Sequence, residues 1–226
     1  ANMQLFIGEY GNEMKKAGPL VSVLIMLLIL QVSFVIERLW SLKKAEGTGP
    51  LPVFLNNVRK KLHSGDLEGA IQICSKQRGS AANVMRAGLD RYMNLRHESA
   101  PKDKIVAETQ AAIQEASGLE TPLLERNLIA LSTIASIGTM VGLLGTTVGM
   151  IRAFAALGQS GAVDASKLAV GISEALVNTA GGLFVAILGI VMYNVFVTRV
   201  DSFNYMIDEA SYEVLQLLTA SAADKK

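Results

Sequence analysis

Glu174, Asn178 and Thr179 stand together at the start of a long apolar stretch, spaced by 4 and 1. In a helix that spacing gathers an acid, an amide and a hydroxyl on one side, a set suited to holding water or a proton. A second polar row precedes it: Ser132, Ser136, Thr139 and Thr146, with Thr133 and Thr147 alongside. Such hydroxyls can satisfy themselves on the carbonyl four residues back, so this row by itself reads equally as quiet packing or as pore lining. The acid and the amide tip the balance. Both are costly in lipid unless they face protein or water, so the two helices are expected to share a hydrated seam.

Gly138, Gly142, Gly145 and Gly149 recur at intervals of 4, 3 and 4. That places all four on one helix face, where small residues let two backbones approach closely in lipid. Gly181 and Gly182 offer a similar close approach on the next apolar helix.

Other chemistries are missing from the pattern. There is no phosphate-cradling Walker loop, nucleophile elbow, His-Glu-x-x-His helix or dinucleotide fingerprint, and the glycine-rich stretches lie inside apolar runs. No catalytic residue, cofactor site or metal site is expected, since Cys74, His63 and His97 make a poor ligand set. The net charge of +1, from 21 Lys and Arg against 20 Asp and Glu, gives no field that would attract nucleic acid.

The elements that must carry these residues are membrane helices. Of the 226 residues, 50% are hydrophobic and only 18% charged, against about a quarter charged in soluble chains. Mean hydropathy is +0.35. Pro19 to Ile36 is an uncharged run of 18 residues closed by Glu37, Arg38 and the interfacial Trp40. Leu128 to Ile151 and Ala175 to Thr198 are uncharged runs of 24 residues each. At about 1.5 Å per residue each of the latter reaches roughly 36 Å, enough to cross a bilayer with tilt. None of the three holds an Asp, Glu, His, Lys or Arg, so a proton carrier at mid-membrane has to come from another chain.

The reading is an all-α integral membrane protein with three transmembrane helices, the second and third long, and a helical cytoplasmic domain. Residues 37–126 hold 14 Lys and Arg, of which Arg38, Lys43, Lys44 and Arg126 lie close to the bilayer, against only Arg152 and Lys167 in residues 152–174, so the first loop is expected on the cytoplasmic side. The expected order is an extracytoplasmic segment 1–18, a span 19–40, a cytoplasmic helical domain 41–125, a span 126–154, a short periplasmic loop 155–170, a span 171–198 and a cytoplasmic helix and tail 199–226. The first span is expected to direct insertion itself.

In the large loop, turns are expected at Gly47–Pro50, Ser64–Asp66, Gly79–Ser80 and Ser99–Pro101. The triplet Arg59, Lys60, Lys61 reads as a solvated face, with contact to anionic lipid as the alternative. A polar helix from Lys104 to Glu125 is expected to lead into the second span. Glu174 is expected near the first turn of the third span, either collecting protons or pairing with a partner cation at the outer mouth, or capping the helix and pairing with Lys167, with Arg126 and Arg152 as interfacial anchors.

The stretches LSTIASIGTMVGLLGTTVGMIRAF (Leu131–Phe154) and GISEALVNTAGGLFVAILGIVMYNVF (Gly171–Phe196) resemble the ExbB/TolQ/MotA proton-channel family, most closely its ExbB and TolQ branch. The order of spans and the Glu-Arg-Leu-Trp end of the first extend the likeness along nearly the whole chain. The resemblance implies a homopentamer in the bacterial inner membrane whose second and third spans line a pore. It implies a dimer of single-span ExbD- or TolR-like subunits inside that pore, with a TonB- or TolA-like transducer as a further partner. In such a system an aspartate of the inner subunit carries the proton, facing pore threonines that match Thr146 and Thr179, while the acid at the pore end matches Glu174. Asn178, Thr139 and Ser136 extend that path. Many relatives have proline where this chain has Thr139 and Leu188. A surface-motility motor of the same family and a non-conducting scaffold remain the alternative functions; a secondary transporter fits badly with three spans and no internal charge.

Overall fold

The protein is described by a computed structural model covering residues 18–159 and 165–223. The described residues form seven helices: α1 (Gly18–Glu46), α2 (Leu51–His63), α3 (Leu67–Gln77), α4 (Ser80–His97), α5 (Lys102–Glu125), α6 (Leu128–Gln159) and α7 (Ala165–Ala223). No strand occurs among them. Three helical stretches are long and apolar enough to cross a membrane, which makes the chain an all-α membrane protein. The described residues divide into two compact units, 18–36 with 127–159 and 165–195, and 37–126 with 196–223.

In the first unit, α1, α6 and α7 pack around Leu24, Leu27, Ile134 and Val185. Much of its outer surface is aliphatic, with Ile29, Met140, Leu144, Ile187 and Ile190 exposed. That pattern suits lipid, which leaves close van der Waals packing and interhelical hydrogen bonds to hold the helices together.

The second unit obeys ordinary aqueous rules. Leu51, Phe54, Val58 and Leu62 recur at helical spacing and give α2 one buried side. α3 starts at Asp66, whose carboxylate accepts from the Gly69 amide at 2.8 Å, and stops at Arg78 in the left-handed conformation. Lys61 bonds the same carboxylate at 2.7 Å. The lysine first, and then the Gly69 amide, hold the Asp66 carboxyl below its usual range. Its contribution to stability is therefore present at neutral pH and lost as pH falls through that lowered value.

Gly88 brings α4 against α5, since a Cβ there would lie 2.5 Å from Ile113 Cγ1. The distal part of α7 buries Phe196, Val200, Phe203, Ile207, Ala210, Val214 and Leu218, one stripe at intervals of 3 and 4. Arg38 is fully buried beside Glu37, and its Nη1 donates to the Leu124 carbonyl at 3.2 Å. That carbonyl lies in the last turn of α5, where it lacks a partner within the helix and where a cation suits the helix dipole.

α5 does not run on into the next helix. It ends at Glu125, and α6 begins at Leu128 after Asn127 turns through φ +63°. Asparagine tolerates that left-handed conformation better than other side chains. Polarity and proline placement gave no sign of this break.

Cys74 is 2% exposed, and burial pushes its thiol up to about 12. At pH 8 only about one thiol in ten thousand is then a thiolate. Iodoacetamide is expected to leave Cys74 unmodified in the native protein and to alkylate it in denaturant, as read by mass spectrometry. Equal rates in the two states would contradict the burial of α3.

Candidate functional site

α6 and α7 run antiparallel, and the contact between them is built on missing side chains. A Cβ added at Gly138 would lie 2.8 Å from Val185 Cγ1, at Gly142 3.1 Å from Gly182 Cα, at Gly145 2.3 Å from Asn178 Cβ, and at Gly149 3.0 Å from Ala175 Cβ. Gly182 answers from α7, where a Cβ would fall 2.5 Å from the Gly138 carbonyl oxygen. Gly181 belongs to a different contact, 3.2 Å from Leu24 Cδ1 of α1.

This approach brings two hydroxyls of the polar rows together. Thr146 Oγ1 and Thr179 Oγ1 are hydrogen-bonded to each other across the seam. Both also reach the Gly142 carbonyl, Thr146 at 3.2 Å and Thr179 at 3.4 Å, and Thr179 additionally faces the Ala175 carbonyl at 3.3 Å. Each hydroxyl has one proton and two lone pairs, so the pair can redistribute its donors and still accept from a third group.

The other predicted polar residues are placed differently. Ser136 bonds the Ser132 carbonyl and Thr139 the Ala135 carbonyl, at 3.1 and 3.3 Å, each within its own helix. Asn178 is fully buried against Gly145, with Nδ2 donating to the Glu174 carbonyl at 3.0 Å. α6 passes through Thr139 and α7 through Leu188 without interruption.

Glu174 differs from expectation in two respects. It lies well inside α7, which begins by Ala165, so it is not a first-turn residue. Hydropathy marks where lipid begins, and the helix extends beyond that point. The cation set across from it is Arg152, whose Nη1 donates to Glu174 Oε1 at 2.9 Å. Antiparallel pairing of α6 and α7 brings these residues to the same end of the seam, where Arg152 pairs with Glu174. The glutamate side chain is 12% exposed and the arginine 52%, so one face of the pair stays open.

Sequence reasoning missed Gln31. It is completely buried in the middle of α1, and with its amide turned to suit its surroundings it bonds the Val185 carbonyl and the Gly189 amide of α7. A lone amide in an apolar run carries no periodic signal.

An antiparallel pair of apolar helices joined by glycines and carrying a hydroxyl pair defines a class of membrane helix bundle. The chain belongs to the MotA/TolQ/ExbB proton channel family, whose model matches residues 76–209. It is 26% identical over 213 residues to the biopolymer transport protein ExbB of Pseudomonas putida, covering 91% of this chain and 62% of that protein. It is 34% identical over 117 residues to the ExbB of Aquifex aeolicus, covering 52% of this chain and 72% of that one. The Tol-Pal system protein TolQ of Pseudomonas aeruginosa shares 34% over 117 residues, 51% of each chain. These likenesses put the chain in the ExbB and TolQ branch. It spans less than two thirds of the length of the Pseudomonas putida relative.

Replacing Gly145 with leucine drives a side chain into Asn178 and is expected to cost about 1–3 kcal/mol. In detergent the thermal unfolding midpoint should fall by roughly 3–10 °C, following the usual scaling for a chain of this size. Gly118→Ala, which meets nothing within 4 Å, serves as the control that should not fall. A G145L midpoint equal to wild type would contradict the close approach of α6 and α7.

Proposed function

We propose that this chain is the pore-forming subunit of a proton-driven motor of ExbB/TolQ type in the bacterial inner membrane. It couples proton flow to mechanical work in the periplasm, either TonB-dependent transport or envelope maintenance. The observation that carries the reading is the Thr146–Thr179 hydroxyl pair, brought together across the glycine-built seam between α6 and α7. Family membership and the absence of any charged side chain from the three runs support it.

In this reading five copies assemble with the polar side of α6 and α7 toward a common axis. A dimer of ExbD- or TolR-like single-span subunits occupies the axis and supplies a carboxylate. A TonB- or TolA-like transducer receives the work. The N-terminus is periplasmic, residues 41–125 and the C-terminal helix are cytoplasmic, and residues 155–170 form the periplasmic connection.

The chemistry follows from desolvation. A carboxylate in a low-dielectric pore is driven toward its neutral form, and hydroxyl donors offset part of that cost. Thr146 and Thr179 can turn their protons toward an ionised partner carboxylate and their lone pairs toward a protonated one. The partner's acid can then release and regain its proton at the same place. Ser136 and Thr139 extend the hydroxyl row along α6, Asn178 fixes the helix contact, and Glu174 with Arg152 forms the charged mouth at one end.

Thr146→Val and Thr179→Val keep the side-chain volume and remove the hydroxyls. Each is expected to lower proton flux through the partner-containing complex by roughly 10–100-fold, since a hydrogen bond to a charged group is worth about 1.5–3 kcal/mol and about 1.4 kcal/mol is tenfold, while the complex keeps its subunit count. Flux in vesicles, measured with a pH-sensitive dye, checks this. Wild-type flux in both variants would overturn the pore assignment.

A further inference from the structure

Gln31 is 0% exposed, although α1 around it is aliphatic and several neighbours, Ile29, Leu30 and Val32 among them, face outward. Its Nε2 donates to the Val185 carbonyl at 3.1 Å and its Oε1 accepts from the Gly189 amide at 2.6 Å. Residues 185 and 189 are the donor–acceptor pair that a regular α-helix joins to itself. The amide of α1 therefore enters the backbone ladder of α7.

Gly189 makes the insertion possible. A Cβ there would lie 2.7 Å from Ala135 Cβ, 3.3 Å from the Leu131 carbonyl of α6 and 3.3 Å from the Gln31 amide. All three helices of the first unit meet at this glycine. An amide at mid-membrane costs several kcal/mol unless both its donor and acceptor ends are satisfied, and here α7 satisfies both. An aliphatic residue of the same length would pack the site without that cost, so packing alone gives no reason for glutamine.

We propose that Gln31 is a positioning residue: it pins the outer helix α1 to the backbone of α7 at Val185–Gly189 and so fixes the height and rotation of Thr179 against Thr146. Thr179 lies six residues from Val185, about 9 Å along the helix. A side-chain amide offers both a donor and an acceptor to the ladder, so it locks α1 in register along α7, which the apolar contacts of Leu24 and Leu27 do not. The proposal rests on the channel reading for its effect on proton flow, and on geometry alone for the clasp itself.

The test uses the assembled complex with its single-span partner in phosphatidylethanolamine–phosphatidylglycerol vesicles, comparing wild type, Gln31→Met and Gln31→Glu. Methionine keeps the shape and loses both hydrogen bonds. Q31M is expected to assemble with wild-type mass and to carry about tenfold less proton flux, the weight of a lost interhelical hydrogen-bond pair in lipid. Hydrogen exchange of the 185–189 amides should change in Q31M.

A protonated glutamic acid presents the same donor and acceptor, whereas the ionised form cannot donate to the Val185 carbonyl. The three apolar runs around it hold no Asp, Glu, His, Lys or Arg that would pair with it. Q31E is therefore expected to approach wild-type flux in acid and to fall behind it, at matched pH and gradient, as pH rises. A merely structural role would not produce that pH-dependent ratio. Wild-type flux and exchange in Q31M, or a Q31E ratio flat with pH, would overturn the proposal. Should Q31M fail to assemble, Q31E in acid still decides it. A wild-type complex that carries no protons would remove the channel reading, while the exchange contrast would still judge the clasp.

Discussion

Everything in the membrane unit depends on how closely α6 can approach α7. Lipid offers no hydrophobic reward for bringing two apolar helices together, so the contact has to come from dispersion between backbones and from a few hydrogen bonds. Glycine at 138, 142, 145 and 149 removes the side chains that would hold the helices apart. The Thr146–Thr179 contact, the burial of Asn178 and the Arg152–Glu174 pair all follow from that distance. Widening the seam by the width of one methyl group would separate the hydroxyls.

The two units solve opposite problems with the same secondary structure. In residues 37–126 and the distal part of α7, helices gain stability by burying an aliphatic stripe, at about 1.5–3 kcal/mol for each fully buried large side chain. In the membrane unit much of the outer surface is aliphatic as well, and Gln31 and Asn178 are buried inside beside Leu24, Leu27, Ile134 and Val185. The family match from residue 76 to 209 contains α6 and the membrane part of α7 together with α4 and α5 of the second unit. α1, with Gln31, lies outside that match.

Periodic features are legible in a sequence and single contacts are not. The glycine row announces itself because a helix repeats it every three or four residues. The turn at Ser64–Asp66 between α2 and α3 is equally plain, because Ser, Gly and Asp cluster there between two apolar runs. By contrast, which member of a hydroxyl row meets the facing helix depends on the register between two helices, which neither sequence encodes locally. Arg152 facing Glu174 is a register effect of the same kind. The break at Asn127 arises from one left-handed residue, and Gln31 gains its meaning only from a glycine more than 150 positions away.

The central claim is that this chain supplies the hydroxyl-lined seam and not the proton carrier. Proton flux into vesicles containing the chain alone, compared with vesicles containing it together with the proposed ExbD- or TolR-like single-span partner, tests that most directly. The account predicts flux only when the partner is present, and its loss when the partner's membrane aspartate is replaced by asparagine. Equal flux through the chain alone would contradict it, because the three uncharged runs would then have to conduct without a carboxylate.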